Sequence, residues 1–137
     1  MAYEMRTEGG LLKLVLSGTF TNGDMSRAAA EVAEVEAASD VVPHRSVDLR
    51  AINRLEIDFA GVFTVTEILR RRNLRNSIKT AVIASDIVQF GFARMFQTLN
   101  DHPQIVVAIF GDDEDAHQWL QRSGVRPPEV AWQPRLS

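Results

Sequence analysis

The chain has no cysteine among its 137 residues, which excludes disulfides, thiolate metal sites and thiol catalysis. It has no apolar run near the ~20 residues that span a bilayer. Its first ten residues, MAYEMRTEGG, place charges where a signal peptide needs an apolar stretch. Positive charge is not in excess: 15 Lys and Arg face 18 Asp and Glu, a formal net charge of −3. That balance argues against general binding to nucleic acid or anionic membrane and leaves only a local basic patch open. Repeats and low-complexity segments are missing too. These absences lead to the expectation of a soluble, cytoplasmic protein.

The motifs of common chemistries are also missing. There is no P-loop and no G-x-G-x-x-G, and Ser17, Ser85 and Ser123 lie outside any G-x-S-x-G context. His44, His102 and His117 accompany no recognisable nucleophile. The run Asp112, Asp113, Glu114, Asp115 with His117 lacks the alternating spacing and central glycine of an EF-hand loop, and capping of a helix start accounts for it. The expectation is a non-enzyme with no catalytic residue, no metal and no cofactor.

What is present is an ordinary globular composition, 45% hydrophobic and 24% charged, at a length that suits one domain. Strand-like pieces at Tyr3–Arg6 and Leu11–Ser17 flank TEGG, whose two glycines suit a hairpin. Thr21 and Asp24 have capping-box spacing before an Ala-rich helix that Pro43 ends, with Glu31 and Glu34 expected on its wet side. Further strands are expected at 45–52, 78–85 and 104–110, and further helices at 58–76, from Asp86 to before Pro103, and at 112–124. In the 58–76 helix Phe59, Val62, Phe63, Thr66 and Leu69 form one apolar stripe, and in the next Phe92, Met95, Phe96 and Leu99 form another. Asp86 and Gln89 repeat the capping-box spacing. The order predicts an α/β fold: a single mixed, largely parallel sheet of about five strands with four main helices, over residues 1–126. Residues 127–137, rich in proline, read as a tail.

Three stretches carry a family likeness: VDLRAI followed by a helix, GFARMFQ (91–97) after the AVIAS strand, and AIFGDDEDAHQWL (108–120). With their order and spacing, residues 3–123 resemble the STAS-like proteins of the bacterial anti-sigma-factor-antagonist fold, in the branch also compared with CRAL-TRIO lipid-binding domains. The resemblance implies the same fold and a regulatory or binding role. In the phosphorylated antagonists the loop after the corresponding strand carries Asp-Ser-Ser-Gly; here the match is Asp58-Phe59-Ala60-Gly61. Ala60 stands at the acceptor position, and with no hydroxyl it cannot be phosphorylated. Fold therefore carries over without that switch.

The helix starts at Asp58 and Asp86 should follow the carboxyl ends of neighbouring strands, where α/β sheets often bind ligands, although an Asp cap itself satisfies the donors an anion would use. Candidate ligand- or partner-binding residues are Asp58, Phe59, Ala60, Gly61, Ser85, Asp86, Phe90, Gly91 and Arg94. Phe59, Phe63, Phe92 and Phe96 read as core at helical spacing, with a cavity between the two helices as the sharper option. Phe90, off the stripe, is expected at a pocket mouth or partner surface, with Gly91 beside it allowing close backbone approach. Arg94, in an early turn, is expected to meet Asp58, Asp86 or a bound ligand. The run Arg70, Arg71, Arg72 and Arg75 reads as a solvated helix end, with Glu67 and Arg71 paired at i, i+4, rather than a phosphate or nucleic-acid site. The functional expectation is a STAS-like module for a protein partner or a small lipid-like or anionic ligand. A homodimerisation unit is the alternative, and a small enzyme the third reading.

Overall fold

The computed structural model describes residues 2–124 and 126, and the tail expected at 127–137 lies outside them. The elements follow in the expected alternation: β1 (Tyr3–Glu8), β2 (Leu11–Thr21), α1 (Asn22–Ala37), β3 (His44–Glu56), α2 (Phe59–Arg70), β4 (Ile78–Ile83), α3 (Ile87–Leu99), β5 (Ile105–Phe110) and α4 (Asp113–Gln121). The strands form one sheet in the order β1-β2-β3-β4-β5. β1 pairs antiparallel with β2, and every later pair is parallel. The β1–β2 turn is Gly9 and Gly10, at φ 60° and 78°; a two-residue turn that needs positive φ at both positions selects glycine there.

Each of α1, α2 and α3 carries the chain one strand further in the same direction. Right-handed crossovers then put all three on one face. Their buried residues Met25, Val32, Val62, Val65 and Ala93 share a core with Leu14, Leu16, Leu49 and Val82. α4 covers the other face, where Ala116, Trp119 and Leu120 pack on Ala81, Ile83, Ala108 and Phe110. β4 is therefore covered on both sides, and all six of its residues are buried.

One of those six is a lysine. Lys79 Nζ donates to the Trp119 carbonyl at 2.7 Å and also to the Arg122 carbonyl, and it stands 5.4 Å from the centre of the Trp119 ring. It is a second donor to the Trp119 carbonyl, which also accepts from the Arg122 N–H at 3.2 Å, and it reaches the Arg122 carbonyl just beyond the helix. Burial, with the nearby Arg122 charge, pushes its pKa below the usual lysine value.

All four helices begin on the capping residues that the sequence marks. Thr21 Oγ1 accepts from the Asp24 N–H at 3.2 Å, and Asp24 Oδ2 accepts from the Thr21 N–H at 3.0 Å, a complete capping box. Asp58, Asp86 and Asp112 each accept from the N–H three residues on. Gln89 departs from the expected box: its side chain returns to Ser85 instead of to the backbone of the Asp86 cap.

α2 is shorter than the expected 58–76, ending at Arg70. Beyond it Leu74 has to be buried, and Asn76 exchanges hydrogen bonds with both the N–H and the carbonyl of Val42, at 2.7 and 3.0 Å. A continued helix could not deliver these contacts. The expected Glu67–Arg71 pair is replaced by Glu67–Arg70 at 2.9 Å, one residue closer, because α2 ends at Arg70 and Arg71 is its C-cap.

Gly61 marks where α2 meets the start of α1: a Cβ on it would lie 2.1 Å from Asn22 Oδ1. Asn22 Nδ2 in turn donates to Asp58 Oδ1 at 3.2 Å. Gly61→Ala alone is expected to gain nothing, since Asn22 must give way. In an Asn22→Ala background the same change should stabilise by about 0.5–1 kcal/mol through helix propensity. Equal effects in both backgrounds, measured by urea unfolding, would show that the close approach costs nothing.

Candidate functional site

The residues picked from the sequence fall at the starts of α2 and α3, which pack on one another. β3 and β4 are neighbours, as expected, but their ends are staggered. Their pairing stops at Asp48 and Ile83, while β3 continues alongside β2 to Glu56. The start of α2 therefore projects beyond the start of α3 along the strand direction.

Both helix starts are already capped. Asp58 takes the Gly61 N–H at 2.8 Å and is tied to Asn22 of α1. At α3, Asp86 takes the Gln89 N–H at 2.8 Å, and the buried Gln89 side chain accepts from the Ser85 N–H and hydroxyl at 2.8 and 3.0 Å. Arg94 is exposed and donates to Gln97 at 2.6 Å rather than to Asp58 or Asp86. A Cβ on Gly91 would have open space around it, so none of the described residues uses the close approach a glycine allows.

The aromatic residues are distributed differently from the expectation. Phe59 and Phe63 are 60% and 45% exposed and stack on each other with centroids 6.1 Å apart. Phe90, Phe92 and Phe96 are the ones that pack against the core. α2 is apolar nearly all round its first three turns, and the neighbouring helices bury its Val62, Val65 and Thr66 side instead of the Phe59 and Phe63 side. At the start of α3, Ile87 and Val88 are likewise exposed. Ala60 lies on the surface next to this aromatic pair.

A second site went unmarked in the sequence reading. Glu36, in the last turn of α1, has no exposed side-chain surface and holds two arginines. Arg45 Nε donates to Glu36 Oε2 at 2.7 Å, and Arg72 Nη1 donates to Oε1 at 2.8 Å. Arg72 is thus drawn out of the basic run, and its carbonyl meets the buried His102 ring. Burial pushes the Arg45 pKa down, and Glu36 pulls it back up. The signal is in the sequence: Glu36 continues the inward stripe Met25, Ala28, Val32, and Arg45 shares one strand face with Val47 and Leu49.

Beside this cluster, between the sheet and the three helices, lies an apolar cavity of about 100 Å³. Leu16, Ala28, Leu49, Val65, Val82 and Phe96 contribute to its walls, as do Arg45 and Thr80. Arg45 and Thr80 are opposite one another in the β3–β4 register.

Among the described residues no group of three or more His, Asp or Glu is placed to hold a metal ion, and no helix is long and apolar enough to cross a membrane. His117 and the acidic residues of the α4 start are exposed, apart from the half-buried Asp112 cap.

Two outcomes follow from the buried charges. Glu36→Gln leaves Arg45 buried without its counter-charge and should cost about 3–5 kcal/mol in urea unfolding; a cost under about 1 kcal/mol would show that the cluster is not a structural tie. His44 accepts the Lys79 N–H on Nδ1 at 2.9 Å, and burial followed by the Lys79 charge holds its pKa below the ordinary 6.5. The unfolded chain therefore takes up the proton first. This contribution is complete above about pH 6.5 and is lost as pH falls from there through the lower folded value. His44→Asn should reduce that slope in unfolding midpoints measured between about pH 8 and pH 5; an unchanged slope would assign it to other groups.

No family model matches the chain, and no curated protein matches it. A solved structure is similar: an uncharacterised protein of the DUF3478 family, with a SpoIIAA-like fold, from Shewanella loihica PV-4. The TM-score is 0.57 at 15% identity, over 87% of this chain and 92% of that one. At that identity the likeness establishes the fold, a SpoIIAA-like (STAS-like) α/β domain with a five-stranded mixed sheet, in agreement with the resemblance carried by the sequence motifs.

Proposed function

We propose that the chain is a non-enzymatic, cytoplasmic binding module that docks a protein partner on the exposed start of α2. The observation that carries this reading is the stacked Phe59–Phe63 pair, 60% and 45% exposed, flanking Ala60. Single exposed apolar residues are common on protein surfaces. Here two aromatic rings lie in contact on one helix face, and Ile87 and Val88 are exposed at the start of the adjoining helix. Aromatic side chains of this kind are the usual anchors of protein interfaces, each contributing about 1.5–3 kcal/mol when fully buried.

An anion is the weaker candidate for this edge. Asp58 and Asp86 already occupy donors at the two helix starts and carry negative charge themselves. Ala60 offers no hydroxyl, so partner binding here is not switched by phosphorylation at that residue. The interaction is constitutive or is regulated elsewhere.

The test is a Phe59→Ser/Phe63→Ser double variant. Because both rings are largely exposed, its stability should stay within about 1 kcal/mol of the parent. Proteins co-purified from native cells are identified and re-tested with purified components. Loss of a reconstituted complex in the folded double variant supports the docking face. Concentration-dependent sedimentation that the double variant abolishes would make the partner a second copy of this chain. Retention of every interaction and of the solution state by the variant would overturn the reading.

A further inference from the structure

We propose that the open edge of β1 is a homodimer surface: two copies of this chain pair β1 against β1, antiparallel about a two-fold axis at Met5, and join their sheets into one. This edge is separate from the α2 start and does not rest on the docking face proposed there.

The first support is a contrast between the two edge strands of the sheet, β1 and β5. In β5 the carbonyls of Gln104 and Phe110 accept from Ile78 and Ala84, so its even-numbered residues bond toward β4 and its odd-numbered ones face outward. α3 takes two of those outward carbonyls: Asn100 Nδ2 donates to Ile105 at 3.0 Å and Gln97 Nε2 to Val107 at 2.9 Å. That edge is closed to an added strand over these residues.

β1 has no such cover. The Ser17 N–H donates to the Ala2 carbonyl at 2.8 Å, and Ala2 stands opposite Ser17 in the β1–β2 register. Alternation from there turns the backbone groups of Glu4, Arg6 and Glu8 toward β2 and those of Tyr3, Met5 and Thr7 away from it. Among the described residues no strand or side chain is bonded to these outward groups. They form a ready template for a further strand.

The second support is charge, and it names the occupant. An added antiparallel β1 uses all three outward residues in one register, centred on Met5, with Tyr3 opposite Thr7. That register sets Glu4 of each copy opposite Arg6 of the other. Both lie at non-hydrogen-bonded positions, where facing side chains come closest. A shift of two residues either way brings Glu4 against Glu4 or Arg6 against Arg6 and leaves Thr7 or Tyr3 opposite a residue outside the strand. A shift of one residue sets outward groups against groups already bonded to β2. The strand is therefore complementary to itself in hydrogen bonding and in charge at the same alignment, as a two-fold interface requires.

The side chains are free to take part. Glu4 is exposed and forms no ion pair among the described residues. Arg6 meets Glu8 of its own strand at 3.0 Å, with the two side chains 63% and 54% exposed, a weak surface pair. Met5 is half-buried at the margin of the core, on the same face as Tyr3, whose hydroxyl donates to Glu31 of α1. The two-fold axis sets two Met5 side chains beside each other there and continues the apolar layer from one copy to the next.

The experiment uses the full chain. Sedimentation velocity from about 1 µM to about 500 µM should show a reversible monomer–dimer equilibrium. In hydrogen exchange the amides of Tyr3, Met5 and Thr7 should gain protection as concentration rises. Thr7→Pro removes an outward N–H and spares the β1–β2 ladder, so it should weaken the dimer about tenfold or more and keep the circular dichroism of the parent. Glu4→Arg and Arg6→Glu should each weaken self-association, and an equal mixture of the two should associate several-fold more tightly than either alone, since each chain then faces its opposite charge. Phe59→Ser/Phe63→Ser should leave the dimer intact, which separates this outcome from that of the α2 face. If Thr7→Pro does not fold, the mixture of charge variants decides. A chain still monomeric at about 500 µM overturns the proposal. So does a dimer that the folded Thr7→Pro variant retains or Phe59→Ser/Phe63→Ser abolishes, or a mixture no tighter than its components.

Discussion

The tertiary arrangement depends on one carboxylate. Glu36 sits without solvent contact at the end of α1 and is held by Arg45 from the start of β3 and Arg72 from the loop after α2. Removing a carboxylate from water costs several kcal/mol, and only close, well-directed partners offset it. That requirement joins three segments that are distant in the chain. It sets how far α1 extends, which end of β3 faces it, and where the chain must leave α2 for Arg72 to arrive. The early stop of α2 at Arg70 is in part a consequence of this tie.

The charged interior is confined to one end of the sheet. Arg45 lies at the start of β3, and Lys79 and Thr80 lie at the start of β4. On one face the arginine meets Glu36; on the other the lysine closes the end of α4. The opposite end, where the strands lead into α2 and α3, carries the exposed apolar side chains Phe59, Phe63, Ile87 and Val88. The amino ends of the central strands are thus anchored by buried polar contacts, while apolar side chains stand exposed beyond the carboxyl ends. The cavity lies between these two regions, roofed by all three crossover helices.

Much of the architecture was legible because it rests on short-range signals. Two glycines with positive φ specified the hairpin, and Thr21, Asp58, Asp86 and Asp112 named the four helix starts. The site was less legible. The stripe assigned to α2 included Phe59 and Phe63, yet that helix is apolar on almost every side, so periodicity could not say which side would be covered. The basic run has the composition of a solvated helix end, yet Arg72 leaves it for a counter-charge 36 residues away in sequence. Arg94 likewise found Gln97 on its own helix instead of a distant carboxylate.

The sequence by itself determined the order of strands and helices, their caps, the α/β class and the absence of a hydroxyl at position 60. Each of these depends on residues within a turn or two of each other, where capping, turn chemistry and hydrophobic period act. Only the tertiary structure decided which aromatics are buried, that Glu36 gathers two arginines, that Lys79 ends α4, and that a cavity lies behind Arg45 and Thr80. These are contacts between segments brought together by packing, and no local pattern encodes which neighbour a side chain will meet.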